Sequence, residues 1–115
     1  MTGSVKQIAW AEDIKADFLR SCEEVKAWYD AKIEKERSCS DPDEEEIECL
    51  GEYVAEAEEL MSYFADRQNA AFWIDHRNEF MKDDKYTRGI ERIHRFKTMK
   101  DLHTRSPKLY YPSMD

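Results

Sequence analysis

Turn-forming residues are what this chain has least of: three glycines and three prolines in 115 residues. So thin a supply excludes a β-sandwich or a doubly wound sheet and leaves long helices joined by few turns. It also removes the usual anion cradles: the sequence contains no Gly-rich phosphate loop and no Gly-x-Ser-x-Gly nucleophile elbow. Cysteine is scarce and odd in number, and the spacing of Cys22, Cys39 and Cys49 is wrong for a disulfide framework. A reduced, intracellular chain is the simpler expectation. Paired zinc ligands of the Cys-x-x-Cys or His-Glu-x-x-His kind are missing, so neither a metal nor another cofactor is expected. No apolar run approaches the ~20 residues of a membrane span, and no basic-then-apolar signal peptide opens the chain. These absences point to a soluble cytoplasmic protein that makes no membrane contact and is not an enzyme.

What the chain has in abundance is charge, 38% of its residues, with a net −8. The distribution is uneven. Residues 1–66 carry 7 Lys/Arg against 19 Asp/Glu, a net −12, while residues 67–115 carry 11 against 7, a net +4. An acidic body with a basic end is a statement about partners rather than about fold.

The apolar residues follow a helical rhythm. Ile8, Ala11, Ile14, Phe18, Cys22, Val25, Tyr29 and Ile33 recur at steps of three and four. Ser4 with Gln7 three residues on has the spacing of a capping box. One helix is therefore predicted from Val5 to Arg37, about 50 Å long at 1.5 Å per residue. Asp41-Pro42 reads as an N-cap followed by a first helical residue. A second helix is predicted from there to Gln68, with Ile47, Leu50, Val54, Ala57, Met61 and Phe64 as its seam. Gly51, a weak point in that helix, is read as a possible close approach by Trp10 or Trp28. Asp43, Glu44 and Glu45 fall in its first turn, where exposed amides favour negative charge. A third helix is predicted over Ala70–Lys82, a polar turn at Asp83–Lys85, and a fourth helix over Thr87–Met99. The predicted fold is all-α: a long antiparallel helical hairpin with two shorter helices packed across one end. It forms one domain over residues 1–100, followed by an extended tail, 101–115, held by Leu109 and the tyrosines.

Two strings, GSVKQIAWAEDIK at Gly3–Lys15 and AFWIDHR at Ala71–Arg77, resemble a small helical domain of unknown function found in proteins of phages and other mobile elements. That domain carries a Gly-Ser-x-x-Lys-Gln opening, where this chain has one residue fewer between Ser4 and Lys6, a Trp-Ala-Glu core and a later Trp-Ile-Asp-x-Arg in the same order. The resemblance covers about the first two-thirds of the chain, leaving out the acidic linker with Cys39 and the part beyond Gly89. It implies that Trp10 and Trp73 pack together where the third helix crosses the hairpin, with Asp75 and Arg77 orienting the junction. It implies no catalytic residues. It does imply a setting in which small acidic proteins act on host machinery.

Three surfaces are candidates for function. Glu45, Glu48, Glu52, Glu56 and Glu59 line one side of the second helix, either as a solvated face or as a binding face. In the second case the spaced carboxylates imitate a nucleic-acid backbone, and the chain binds and inhibits a host nucleic-acid-handling protein through its basic groove, as anti-CRISPR proteins and other DNA mimics do. Arg88, Arg92 and Arg95 share a face of the fourth helix within a basic stretch that includes Lys97, Lys100, Arg105 and Lys108. They make the chain either a nucleic-acid-binding accessory or a bundle whose basic end pairs with its own glutamates. Trp28, Tyr53 and Tyr63, outside the seam, suit a coiled-coil adaptor that dimerises, so both monomer and homodimer stay open. Asp75, His76 and Glu79, extended by Asp83, stand in a row of the kind two-metal nucleases use. In so charged a chain such a row is expected without function.

Overall fold

A computed structural model describes residues 1–80 and 89–114. Its described part is built from five α-helices and a terminal 3₁₀ turn: α1 (Val5–Arg37), α2 (Glu44–Ala65), α3 (Ala70–Asp75), α4 (Arg77–Phe80), α5 (Gly89–Arg105) and the turn Pro112–Met114. The all-α class follows, with no strand among the described residues beyond an isolated bridge between Thr2 and Asn69. The predicted turn at Asp83–Lys85 and the helix start at Thr87 lie outside the described residues.

The capping box that starts α1 is present. Gln7 N–H donates to Ser4 Oγ at 3.2 Å, and Ser4 N–H donates to Gln7 Oε1 at 2.9 Å. With no Pro or Gly to interrupt it, the helix continues to Arg37 and buries Ala11, Ile14, Phe18, Ser21, Cys22, Val25 and Ile33. The second helix begins two residues later than Asp41-Pro42 suggests. Its N-cap is Asp43, whose Oδ1 accepts from the Glu45 and Glu46 amides. The cap is held from outside, since Asp43 N–H donates to Glu36 Oε1 at 2.9 Å.

Contacts between α1 and α2 run in opposite chain order. Phe18 meets Phe64, Lys26 meets Glu58, and Tyr29 stacks on Tyr53. The buried line of α2 is Leu50, Ala57, Leu60 and Phe64. Leu60 thus stands where the predicted seam placed Met61, because α5 packs on the Leu60 flank. Gly51 faces open space, with no atom within 4 Å of where its Cβ would be, so neither tryptophan comes close there.

The third helix is shorter than predicted. It ends at Asp75, with His76 as its C-cap at φ −108°, and α4 restarts at Arg77. The break lets Phe72, Trp73 and Phe80 all be buried. Phe18 is the centre of this end of the molecule: its ring centroid lies 4.9 Å from Phe96, 5.4 Å from Phe64 and Phe80, and 5.9 Å from Trp73. Edge-on contacts of this kind add to ordinary burial, which contributes about 1.5–3 kcal/mol for each large apolar side chain. Trp73 spends its indole N–H on Arg67 O at 3.0 Å. Trp10 does not pair with it, as the resemblance implies; Trp10 is half exposed and carries the Arg77 guanidinium over its ring.

The fourth predicted helix, here α5, runs to Arg105, beyond the expected end at Met99. The remaining tail is anchored by buried Met114 rather than by Leu109, which is 73% exposed. Asn69 Nδ2 donates to Ser113 O at 2.9 Å, and the tail reverses at Tyr111, which adopts φ +56°. The other terminus reaches the same place: Thr2 N–H donates to Gln68 O, and Ala70 N–H to Thr2 O. Away from this aromatic end, buried Ile33 and Leu50 lie outside the contiguous core.

Candidate functional site

α2 carries the five candidate carboxylates along one side, and α5 lies beside its C-terminal half in the same chain direction. Lys97 Nζ reaches Glu56 Oε1 at 2.9 Å, and Lys100 Nζ bonds Glu59 Oε1. The two lysines and the two glutamates share a step of three, so parallel helices bring both pairs together at once. Hydrogen bonding to Lys100 and its charge hold the Glu59 carboxyl below its ordinary range, and the Glu56 bond raises the Lys97 ammonium above its own. These pairs face solvent, where such bridges contribute little individually. On the opposite flank Lys26 takes Glu58 at 3.2 Å.

The acidic face is thereby divided. Glu56 and Glu59 are neutralised by the protein's own basic end. Glu45, Glu48 and Glu52 are exposed and have no ion pair among the described residues. Asp43, Glu44, Glu45 and Glu46 also have a local role as cap and first turn, where they offset the helix dipole. Glu48 and Glu52 have neither explanation.

Among the described basic candidates, Arg92 is not a surface residue. Arg92 is 3% exposed. Its Nη2 donates to Asp17 Oδ2 at 2.9 Å and to Phe80 O, and its guanidinium lies 5.8 Å from the Phe96 centroid. It ties α1, α4 and α5 together from inside, so it cannot touch a phosphate. Arg95 is half-buried and directs Nη1 to Asn78 O at 3.2 Å. Arg88 lies outside the described residues. Intramolecular pairing of the basic end does occur: Lys97 and Lys100 meet the α2 glutamates, and Arg92 meets Asp17 of α1.

The carboxylate row of α3 is broken by the His76 cap. His76 Nδ1 stands 3.4 Å from Glu79 Oε1, and Glu79 Oε2 accepts from the Tyr111 hydroxyl at 3.2 Å. Burial and the neighbouring Glu79 charge push the Tyr111 phenol up to about 12. Asp75 points away as an exposed residue, and Asp83 lies outside the described residues. No group of three or more His, Cys, Asp or Glu able to hold a metal ion occurs among the described residues. Cys22 is a buried thiol, pushed by desolvation to about 12, which is the reverse of an activated nucleophile. Cys39 and Cys49 are exposed and free. No described helix is long and apolar enough to cross a membrane.

Sequence reasoning missed one feature. Trp28, Tyr29 and Tyr53 form a continuous set of rings, with centroids 5.0 and 5.1 Å apart, across the α1–α2 pair beside the start of α5. The signal was present in Trp28 and Tyr53, which stand off the seam of their helices at adjoining positions. Compared with known proteins, the chain matches no family model, no curated protein and no solved structure.

Proposed function

We propose that the chain is a non-enzymatic binding protein. Its frame is a long antiparallel helical hairpin closed at one end by the shorter helices, and it presents Glu45, Glu48 and Glu52 to a partner protein with a basic groove. The observation that carries this reading is the division of the acidic face: among the described residues Lys97 and Lys100 meet Glu56 and Glu59, and no cation meets Glu45, Glu48 or Glu52. The three open carboxylates lie at steps of three and four along a helix. In a region of net −12 they would steer a cationic partner from a distance. The mobile-element resemblance directs the choice of partner to a host nucleic-acid-handling protein, which such a face would inhibit by occupying its positive channel. The reading as a nucleic-acid-binding accessory is weakened, because its central residue, Arg92, is committed to Asp17 and Phe80.

The test is a capture experiment from host lysate with the wild type and a Glu45→Lys/Glu48→Lys/Glu52→Lys variant side by side, at about 0.15 M salt. Nucleic-acid-binding proteins should be retained by the wild type, released by added duplex DNA, and lost from the variant. Equal retention by both chains overturns the reading.

A further inference from the structure

The α1–α2 pair beside the start of α5 carries more than acid. Trp28 and Tyr53 keep 49% and 43% of their surface exposed, and Ile90, at the start of α5, keeps 39%. Beside the rings lies a groove of about 240 Å³ lined by Glu24, Val25, Trp28, Gly89 and Ile90. Gly89 shapes it. A Cβ at that position would stand 2.9 Å from Val25 Cγ2, so glycine is what lets α5 begin this close to α1. Among the described residues the lining is apolar except for the Glu24 side chain. A wholly apolar occupant would desolvate Glu24 without giving it a partner. An anion would meet both Glu24 and the surrounding net negative charge. An apolar stem ending in a cation satisfies every wall. The rings of this chain already serve as seats for cations: Lys32 Nζ lies 4.4 Å from the Trp28 centroid, and the Arg77 guanidinium 5.2 Å from that of Trp10. A planar guanidinium stacks on such a ring while keeping its edge donors for a carboxylate, which an ammonium does less well.

We infer that this groove takes an arginine side chain from a basic segment of the partner protein, its methylenes against Val25 and Ile90 and its guanidinium between the Trp28 ring and the Glu24 carboxylate. The inference rests on the acidic face being a partner surface and adds the partner's anchor residue: Glu45, Glu48 and Glu52 attract the segment, and the groove selects arginine within it.

The test is calorimetric titration of the full chain with three short alanine-based peptides. Each carries flanking lysines and, at its centre, arginine, lysine or citrulline. The arginine peptide should bind about tenfold more tightly than the lysine peptide of equal charge, within the range of a desolvated cation–π contact. Trp28→Ala and Glu24→Gln should each remove that ratio while leaving weak, salt-sensitive binding. The Glu45→Lys/Glu48→Lys/Glu52→Lys variant should weaken both charged peptides alike and preserve the ratio. A ratio near one in the wild type, or one untouched by Trp28→Ala and Glu24→Gln, overturns the groove while leaving the acidic face standing. Citrulline binding as well as arginine also overturns it. So does a concentration-dependent dimer in light scattering that Trp28→Ala dissolves, since a second copy would then be the occupant. Peptide binding unaffected by the triple reversal counts against the acidic face instead.

Discussion

Removing Asp17 should cost this protein more than removing the arginine it holds. Arg92 is almost wholly enclosed, its side chain 4% exposed, and its Nη2 divides its bonds between Asp17 Oδ2 and Phe80 O. Its Nε has no hydrogen-bond partner, so the guanidinium is already incompletely satisfied. Asp17→Ala leaves a buried cation with one carbonyl for company. Stranding one member of a buried pair costs about 3–5 kcal/mol, a large share of the ~5–15 kcal/mol by which a domain is stable. Arg92→Met removes the charge and fills the space, while Asp17, at 14% exposed, keeps the Arg20 guanidinium at 2.6 Å. That change should cost less, about 1–2 kcal/mol, since the carboxylate it leaves behind keeps a guanidinium partner and some contact with water. The double variant should be more stable than Asp17→Ala alone, because the stranded charge is gone. Urea unfolding followed by far-UV circular dichroism reads all three. With a slope of about 2 kcal/mol/M, Asp17→Ala should lower the midpoint by roughly 1.5–2.5 M. A double variant less stable than Asp17→Ala, or an Arg92→Met as damaging as Asp17→Ala, would refute the reasoning.

Three further outcomes are expected of the same molecule. Gly51→Ala should raise stability by up to ~1 kcal/mol, since the Cβ enters open space and alanine is the better helix former; Gly89→Ala should lower it, because Val25 is in the way, and thermal melts of the pair distinguish the two. Glu59→Gln should lower the urea midpoint at neutral pH. The depressed Glu59 pKa makes its contribution present above the ordinary value of 4.5 and lost as pH falls through the folded value, so variant and wild type should converge in acid. In a thiol titration Cys39 and Cys49 should react in the native protein, and Cys22 only after denaturant is added.

Much of the frame was legible because local signals agreed. The capping box at Ser4 and an unbroken three-four rhythm define α1 from end to end. The start of α2 was not legible to the residue, because Asp41 and Asp43 are both competent caps and the choice is made by Glu36, on another helix. Leu60 and Met61 are equally apolar neighbours; which one enters the core depends on the flank that α5 occupies, a tertiary fact with no local trace. Arg92 was misassigned for a reason the sequence does contain. It lies in register with Phe96, Met99 and His103 at steps of four, three and four, so it belongs to the buried stripe of α5. Reading it with Arg88 and Arg95 grouped residues by charge where grouping by phase was needed. The acidic candidates were visible as a row, but their division depends on which of them Lys97 and Lys100 reach, a matter of how α5 packs.

The strap at Asn69 has a practical consequence for handling the molecule. Thr2 is hydrogen-bonded to the two chain neighbours of that residue, Gln68 and Ala70, and Ser113 to its side chain, so both described ends of the chain emerge at one pole of a body 56 Å long. Glu45 and Glu48 stand near the far pole, by the α1–α2 connection. A tether attached at either end, to a bead, a sensor chip or a fluorescent fusion, would hold the molecule upright with its open carboxylates and aromatic groove turned toward the solution. Joining the ends by a short peptide and reopening the chain between Ser38 and Pro42 would reverse that orientation without altering the aromatic core.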